Sequence, residues 1–76
     1  MTPEVFERNR EVMRKFKIND NVIVNGHFGT IVDYYVWGDE KKVWLKIKMH
    51  TERRWKEYDP TPDYTIDTDL TVVEHV

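Results

Sequence analysis

Residues 19–33 read NDNVIVNGHFGTIVD, and this stretch decides the fold class. An apolar residue at every second position is typical of a half-buried strand, and Val22 and Val24 show that alternation. Gly26 and Gly29 then fall where an abrupt reversal needs positive φ or a close backbone approach, and glycine reaches both without a Cβ penalty. A second β-rich run follows, so the stretch predicts the opening hairpin of a small, strongly bent barrel.

The β pattern continues beyond this hairpin. Residues 30–37 are dense in β-branched and aromatic side chains, and residues 38–41 have the composition of a loop. Residues 42–50 alternate most clearly, and a register slip of one residue would bury Lys46 and Lys48. The alternation therefore predicts which side of this third strand faces the core.

Three more elements complete the predicted sheet. Residues 53–58 have the composition of a fourth strand, and the prolines within residues 59–63 end it because proline cannot donate to a ladder. Extended structure resumes at residues 64–66, residues 67–70 predict a tight helical turn, and residues 71–74 predict a closing strand. The predicted core contains Val22, Val24, Ile31, Val43, Leu45, Ile47 and Leu70, with Val72 or Val73 closing it.

An amphipathic helix is predicted ahead of the sheet, over residues 3–16. Thr2 suits the capping position and Pro3 suits the first helical position. Such a short helix is marginal alone in water, so we expect the sheet to cover its apolar stripe. The stripe consists of Val5, Phe6, Asn9, Val12, Met13 and Phe16.

Residues 21–32 (NVIVNGHFGTIV) are similar to the opening hairpin of KOW-type and Tudor-like domains, in which an alternating strand enters a glycine turn and leaves as Gly-x-Ile or Gly-x-Val. With five or so short strands and a single turn before the last one, residues 18–74 resemble an SH3-like barrel. The resemblance implies a mostly β fold with a five-stranded SH3-like barrel, and we expect the N-terminal amphipathic α-helix to be packed on it. It also implies a binding module, since such barrels dock nucleic acid, ribosomes, RNA polymerase or peptides and rarely catalyse.

Chain length and composition bound the domain organisation. A chain of 76 residues has room for one core, so residues 1–76 are predicted to form a single domain, with the helix in residues 1–17 and the barrel in residues 18–76. The chain has no cysteine, which excludes disulfides and thiolate metal sites. No apolar run is long enough to span a membrane, and the first residues lack the basic and apolar regions of a signal peptide. We therefore expect a cytoplasmic protein with no membrane partner.

The side-chain chemistry argues against catalysis. The sequence contains no serine and no cysteine, so the commonest activated nucleophiles are missing. His27, His50 and His75 show none of the usual metal-binding spacings, and the acidic run in residues 59–69 lacks the spacing and central glycine of an EF-hand loop. We expect no enzyme activity, no metal and no cofactor.

Aromatic side chains next to cations form the candidate binding site. The chain has ten Phe, Tyr and Trp residues, more than one small core can bury. Outward aromatics beside Lys or Arg suit base stacking with phosphate contact, or a protein hot spot. A second interpretation, as a cover for the N-terminal helix, applies to Trp44, which is flanked by Lys46 and Lys48, and also to Trp55. The predicted partner-binding residues are Trp55, Arg53, Arg54, Tyr35, Trp37 and Lys56.

Charge decides between the two kinds of partner. All 12 Lys and Arg lie in residues 1–56, whereas residues 57–76 carry six acids, so the two regions either present separate faces or fold together and cancel in part. The net charge is −2 and the pI is about 5.9, whereas nucleic-acid-binding domains are usually strongly basic. We therefore predict a non-catalytic module that docks onto a macromolecular protein partner, as a small regulatory or adaptor protein of bacterial or bacteriophage type. Binding of RNA or single-stranded DNA through a basic-aromatic strand face is the alternative, and a homo-oligomer in which the helix covers a neighbouring barrel is a third interpretation.

Overall fold

The computed structural model of the chain describes residues 1–50 and 63–76, and this part of the chain is mostly β. The fourth strand predicted for residues 53–58 lies outside the described residues. The other predicted elements form close to their expected bounds. No helix in the two described ranges is long and apolar enough to cross a membrane. The elements are α1 (Pro3–Lys15), β1 (Asn21–Val24), β2 (His27–Trp37), β3 (Lys42–Met49), β4 (Asp63–Ile66) and β5 (Val73–His75).

The strands form one antiparallel sheet in the order β4-β3-β2-β1-β5. The chain runs through β1 to β4 as neighbours, and β5 returns to pair with β1, where Val24 lies opposite Val73. This order is compatible with an SH3-like fold. β4 and β5 are the two edges, and within the described residues no ladder joins them, so the sheet is open. The closed barrel of the prediction is therefore not confirmed.

The predicted glycine hairpin joins β1 to β2. Its two turn residues are Asn25 and Gly26, with φ of 52° and 82°, the left-handed pair that a two-residue hairpin turn requires. Gly29 lies beyond the turn, inside β2, where an added Cβ would be 2.7 Å from Ile47 Cγ2. The two glycines thus serve the two purposes expected of them, a positive φ at Gly26 and a close approach at Gly29.

Side chains from one face of the sheet form the core together with α1. Leu45 and Ile47 are fully buried, whereas Lys46 is half-buried and Lys48 is exposed, so the predicted register of β3 is confirmed. The buried apolar side chains are Val12, Phe16, Val22, Val24, Ile31, Val43, Leu45, Ile47 and Val73.

The prediction that Leu70 belongs to the core is wrong, since this residue is 81% exposed. The expected tight turn does form, and Asp67 O accepts the N–H of Leu70 at 3.0 Å. The turn buries Asp67, however, whose carboxylate lies 3.0 Å from Arg8 Nη2. Because an ion pair rather than an apolar side chain fastens the turn, Leu70 points to solvent. Val73 is buried at the closing position, and Val72 is exposed.

The capping residues of α1 act as its sequence predicts. Thr2 Oγ1 accepts the N–H of Val5 at 3.2 Å, and Phe16 leaves helical geometry as the C-cap. Asn9, Val12 and Phe16 are buried, so the expectation that the helix packs on the sheet through this stripe is confirmed for these three positions.

The buried stripe of α1 is narrower than predicted, because Phe6 and Met13 are 51% and 42% exposed. The expectation that both would be buried is wrong. Polar contacts from Arg8 and Asn9 to the sheet fix the rotation of the helix and turn the flank that carries Phe6 and Met13 outward. The Arg10 guanidinium lies 6.0 Å from the centre of the Phe6 ring and covers part of it.

Arg8 and Asn9 join α1 to the edge of β3. Asn9 Nδ2 donates to Lys41 O at 2.9 Å, and Asn9 Oδ1 accepts the N–H of Val43 at 3.0 Å. Arg8 Nη1 donates to Val43 O at 2.7 Å. β4 pairs with β3 only at residues 45–48, so within residues 1–50 and 63–76 no strand lies beside Val43 on the side away from β2. Two side chains of the helix therefore take the place of a neighbouring strand at this position.

Candidate functional site

Three aromatic side chains form a strip on the outer face of the β2–β3 hairpin, and this aromatic strip consists of Tyr35, Trp37 and Trp44. The loop at residues 38–41 pairs Trp37 with Lys42, which sets Tyr35 directly opposite Trp44. The ring centroids are 6.0 Å apart for Tyr35 and Trp37 and 5.8 Å apart for Trp37 and Trp44. These separations are typical of interacting aromatic rings. Tyr35 and Trp37 are also exposed, so the strip is open to a partner.

A β-bulge decides which tyrosine joins the aromatic strip. The register between β2 and β3 shifts by one residue at Val32, between the pairs formed by Ile31 and Asp33. Strand side chains alternate between the two faces, so one extra residue inverts the alternation that follows it. Tyr34 therefore faces the core, and Tyr35 faces outward.

Tyr34 has a structural position beneath the end of α1. Its hydroxyl donates to Phe16 O at 2.6 Å, a carbonyl that the helix itself leaves without a partner. Burial raises the pKa of the Tyr34 hydroxyl, and the negative charge of Asp20 raises it further. The tyrosine thus ties β2 to the helix and is not part of the exposed strip.

Trp44 belongs to the aromatic strip and not to the helix interface. Its neighbours in β3, Val43 and Leu45, are buried on the core side, so Trp44 faces the other way and contacts Trp37. The interpretation of Trp44 as a cover for the helix is therefore wrong. Its Nε1–H is buried and meets no acceptor in residues 1–50 and 63–76.

A shallow pocket of about 390 Å³ lies beside the aromatic strip, at the tip of the β2–β3 hairpin. Its lining includes two tryptophans and three acidic residues. Aromatic faces and carboxylates both attract cations, so the pocket suits a positively charged group more than an anion. It is lined by Trp37, Gly38, Asp39, Glu40, Lys42, Trp44 and Asp67.

Four charged side chains hold one side of this pocket in place. Arg8 lies 3.0 Å from both Asp67 and Asp69, and Lys42 Nζ lies 3.3 Å from Asp67 and 2.9 Å from Asp69. Hydrogen bonds from Lys42 and then Arg8 lower the pKa of the Asp69 carboxyl, and the two carboxylates raise the pKa of Lys42. Cations from the first part of the sequence thus neutralise acids near its end, as the cancelling interpretation of the charge distribution predicts.

The remaining predicted site residues lie outside the described residues. The structure therefore brings together Tyr35 and Trp37 from the predicted set and adds Trp44 to them. The four-residue loop and the alternation of β3 together imply that Tyr35 pairs with Trp44, so the sequence did contain a signal for this third member. The predicted residues without a described position are Trp55, Arg53, Arg54 and Lys56.

Two histidines of the described residues contact polar side chains. His50 Nε2 is 2.7 Å from Thr30 Oγ1, and His75 Nε2 is 3.3 Å from Asp20 Oδ2. Across residues 1–50 and 63–76, no group of three or more His, Asp and Glu side chains is placed to hold a metal ion.

Comparison of the chain with protein-family models, with curated proteins and with solved structures found no match. The chemistry of the aromatic strip and of the pocket beside it is therefore the basis for a function.

Proposed function

We propose that this protein is a non-catalytic binding module that docks onto a protein partner through the aromatic strip. The supporting observation is the exposure of Tyr35 and Trp37 on paired strands, in contact with Trp44. Large rigid rings offer much contact area and lose little conformational freedom on binding, which is why they dominate protein hot spots. Because the hairpin holds the rings in place before binding, little ordering has to occur on association.

The proposed surface extends to the cations and the tryptophan predicted from the sequence. Trp55 would add a further aromatic anchor, and the neighbouring cations would pair with acids of the partner. The lining of the pocket includes Asp39 and Glu40, so the proposed partner surface carries both signs of charge. The added residues are Trp55, Arg53, Arg54 and Lys56.

The finer fold assignment belongs to the same proposal. We assign the chain to the SH3-like barrels, with β1 and β2 as a KOW-type or Tudor-like opening hairpin. The strand order and the two-residue turn at Asn25 and Gly26 support this assignment. Barrels of this kind serve as binding modules, and that analogy favours a small regulatory or adaptor role over catalysis.

The test is a binding measurement on single-residue variants with a matched control. The immobilised protein captures its partner from a lysate, and the affinity of the purified partner is then measured for each variant. Trp37→Ala is expected to weaken binding by about 2 kcal/mol or more, roughly 30-fold in Kd. Phe28→Ala is the control, since Phe28 is an exposed aromatic near the other end of β2. Equal affinity of both variants for the partner would contradict the proposal.

Nucleic acid is the second candidate, because Lys46 and Lys48 follow Trp44 at alternate positions on the same strand. Labelled single-stranded RNA and DNA oligonucleotides, titrated at several salt concentrations, distinguish the two partners. If nucleic acid binds, Arg53→Ala and Arg54→Ala should each reduce the salt slope by close to one unit. A protein partner instead gives a shallow salt dependence and a capture that survives nuclease treatment.

A further inference from the structure

Among the residues that the structure describes, the second half of β2 has no strand paired with it on the side away from β3, and this edge is open. β1 pairs with β2 only at residues 27–30, and the hydrogen bonds reach one residue further, where the N–H and C=O of Ile31 bind the loop before β1. Backbone groups in a strand alternate between its two sides, and the bulge at Val32 inverts that alternation. Beyond the bulge it is therefore Tyr34 and Val36 whose N–H and C=O groups point to the open side.

These four backbone groups of β2 differ from the backbone groups of Val43 in β3, which side chains of α1 bind. The Tyr34 N–H donates to the Asp33 carboxylate at 2.8 Å, and within the described part of the chain no partner is seen for the other three groups. At the opposite edge, Asn9 and Arg8 occupy the backbone of the strand. Val36 is 54% exposed, and no backbone group of the described residues pairs with its open side. An uncovered edge of this kind is a template for another strand.

We propose that this edge pairs with the same edge of a second copy of the chain, antiparallel, about a two-fold axis at Tyr35. The hydrogen-bonding groups are self-complementary in that arrangement. Tyr34 of each copy faces Val36 of the other, and each such pair exchanges two backbone hydrogen bonds. The Tyr34 N–H exchanges its local bond to Asp33 for a backbone carbonyl of the second copy.

The side chains at this edge favour a second copy over an unrelated strand. The two Tyr35 rings lie directly opposite each other at the axis, and aromatic pairs stabilise neighbouring strands. Asp33 of one copy falls opposite Trp37 of the other, so the arrangement places no two like charges face to face. Pairing also joins the two aromatic strips into one continuous surface. The inference stands independently of the proposed protein partner, because it needs only this chain.

Sedimentation equilibrium of the purified full chain over about three decades of concentration tests the pairing. The unmodified chain should change from one copy to two as its concentration rises. Tyr35→Lys and Tyr35→Glu place like charges opposite each other, so each variant alone should associate at least about 10-fold more weakly. A 1:1 mixture of the two variants should recover association, because opposite charges then meet at the axis. Phe28→Lys, on the same strand but away from the open edge, should associate like the unmodified chain.

Three results would overturn the proposal. These are a monomeric unmodified chain at every concentration, association that Tyr35→Lys leaves unchanged, and a mixture of the two Tyr35 variants that associates no better than either alone. A monomer that binds only an added extended peptide at this edge would show that the occupant is a different chain.

Circular dichroism establishes that each variant is folded. Should the Tyr35 variants unfold, hydrogen exchange of the Val36 amide in the unmodified chain decides, since pairing must slow it as concentration rises.

Discussion

Replacement of Asn9 by alanine should lower the free energy of unfolding by about 2–4 kcal/mol. Asn9 is buried and makes hydrogen bonds to Lys41 O, to the Val43 N–H and to Arg8. The Val43 N–H is itself buried, and a buried donor left without an acceptor costs about 1–3 kcal/mol. The bonds to Lys41 and Arg8 lie nearer to solvent, where each is worth about 0.5–1.5 kcal/mol. The better helix propensity of alanine offsets roughly 0.5 kcal/mol of this loss.

Urea unfolding followed by circular dichroism measures this loss directly. Glu7→Ala is the control, since it changes an exposed position of the same helix and should stay within about 0.5 kcal/mol of the unmodified chain. Hydrogen exchange gives a local readout, because the Val43 amide should exchange faster in Asn9→Ala relative to the Leu45 amide. If Asn9→Ala were as stable as Glu7→Ala, the Asn9 side chain would not replace a neighbouring strand at Val43, and that result would contradict the prediction.

Further predictions concern the core, the hairpin and the pH dependence of stability. Phe16→Ala should cost about 2–4 kcal/mol, because Phe16 is buried against the sheet, and an unchanged thermal melt would reject the packing of α1. Gly29→Ala should cost about 1–3 kcal/mol, because its Cβ would meet a fully buried side chain, and a urea midpoint equal to that of the unmodified chain would argue against the close approach. The lowered pKa of Asp69 means that its contribution is present above the ordinary aspartate pKa and is lost as pH falls through the lowered value, so Asp69→Asn should flatten the acid limb of a stability–pH curve. The raised pKa of Tyr34 has the opposite sign: its contribution is present below the ordinary tyrosine pKa and is lost as pH rises through the raised value, so Tyr34→Phe should flatten the alkaline limb.

The elements that follow from local pattern were predictable from the sequence. The alternation of residues 42–50 predicted which side of β3 is buried, and the glycine turn predicted the first hairpin. Both depend on residues that are close together in the chain. The Phe16 position was predictable for the same reason, since it lies on the helical period of the apolar stripe.

The features that escaped prediction depend on distant partners. Leu70 is apolar and was therefore predicted to lie in the core. Asp67 occupies the buried position instead, because Arg8, 59 residues away, pairs with its carboxylate. Phe6 turned outward for a related reason, since polar contacts and not apolar area set the rotation of α1. Periodicity carries no information on which charge meets which, so this part of the packing could not be derived from the pattern alone.

The candidate site was likewise predictable only where it depends on local sequence pattern. The presence of aromatic residues near the end of β2 was visible in the sequence, whereas the separation of Tyr34 from Tyr35 depended on the bulge at Val32. A bulge is a property of two paired strands, so the single strand gives no sign of it. The grouping of Trp44 with Trp37 becomes clear only once the hairpin register is known.

The extra residue at Val32 shifts the alternation of side chains between the two faces of β2 by one position. If the same residues formed a regular strand without the bulge, the two sets of side chains beyond Val32 would exchange faces of the sheet. Tyr35 and Trp37 would then be directed toward the core, and Tyr34 and Val36 would be presented to the surroundings. The identity of the displayed surface is therefore set by where the extra residue is accommodated as much as by residue type, and a deletion of Val32 itself would keep Tyr35 opposite Trp44 on the outer face.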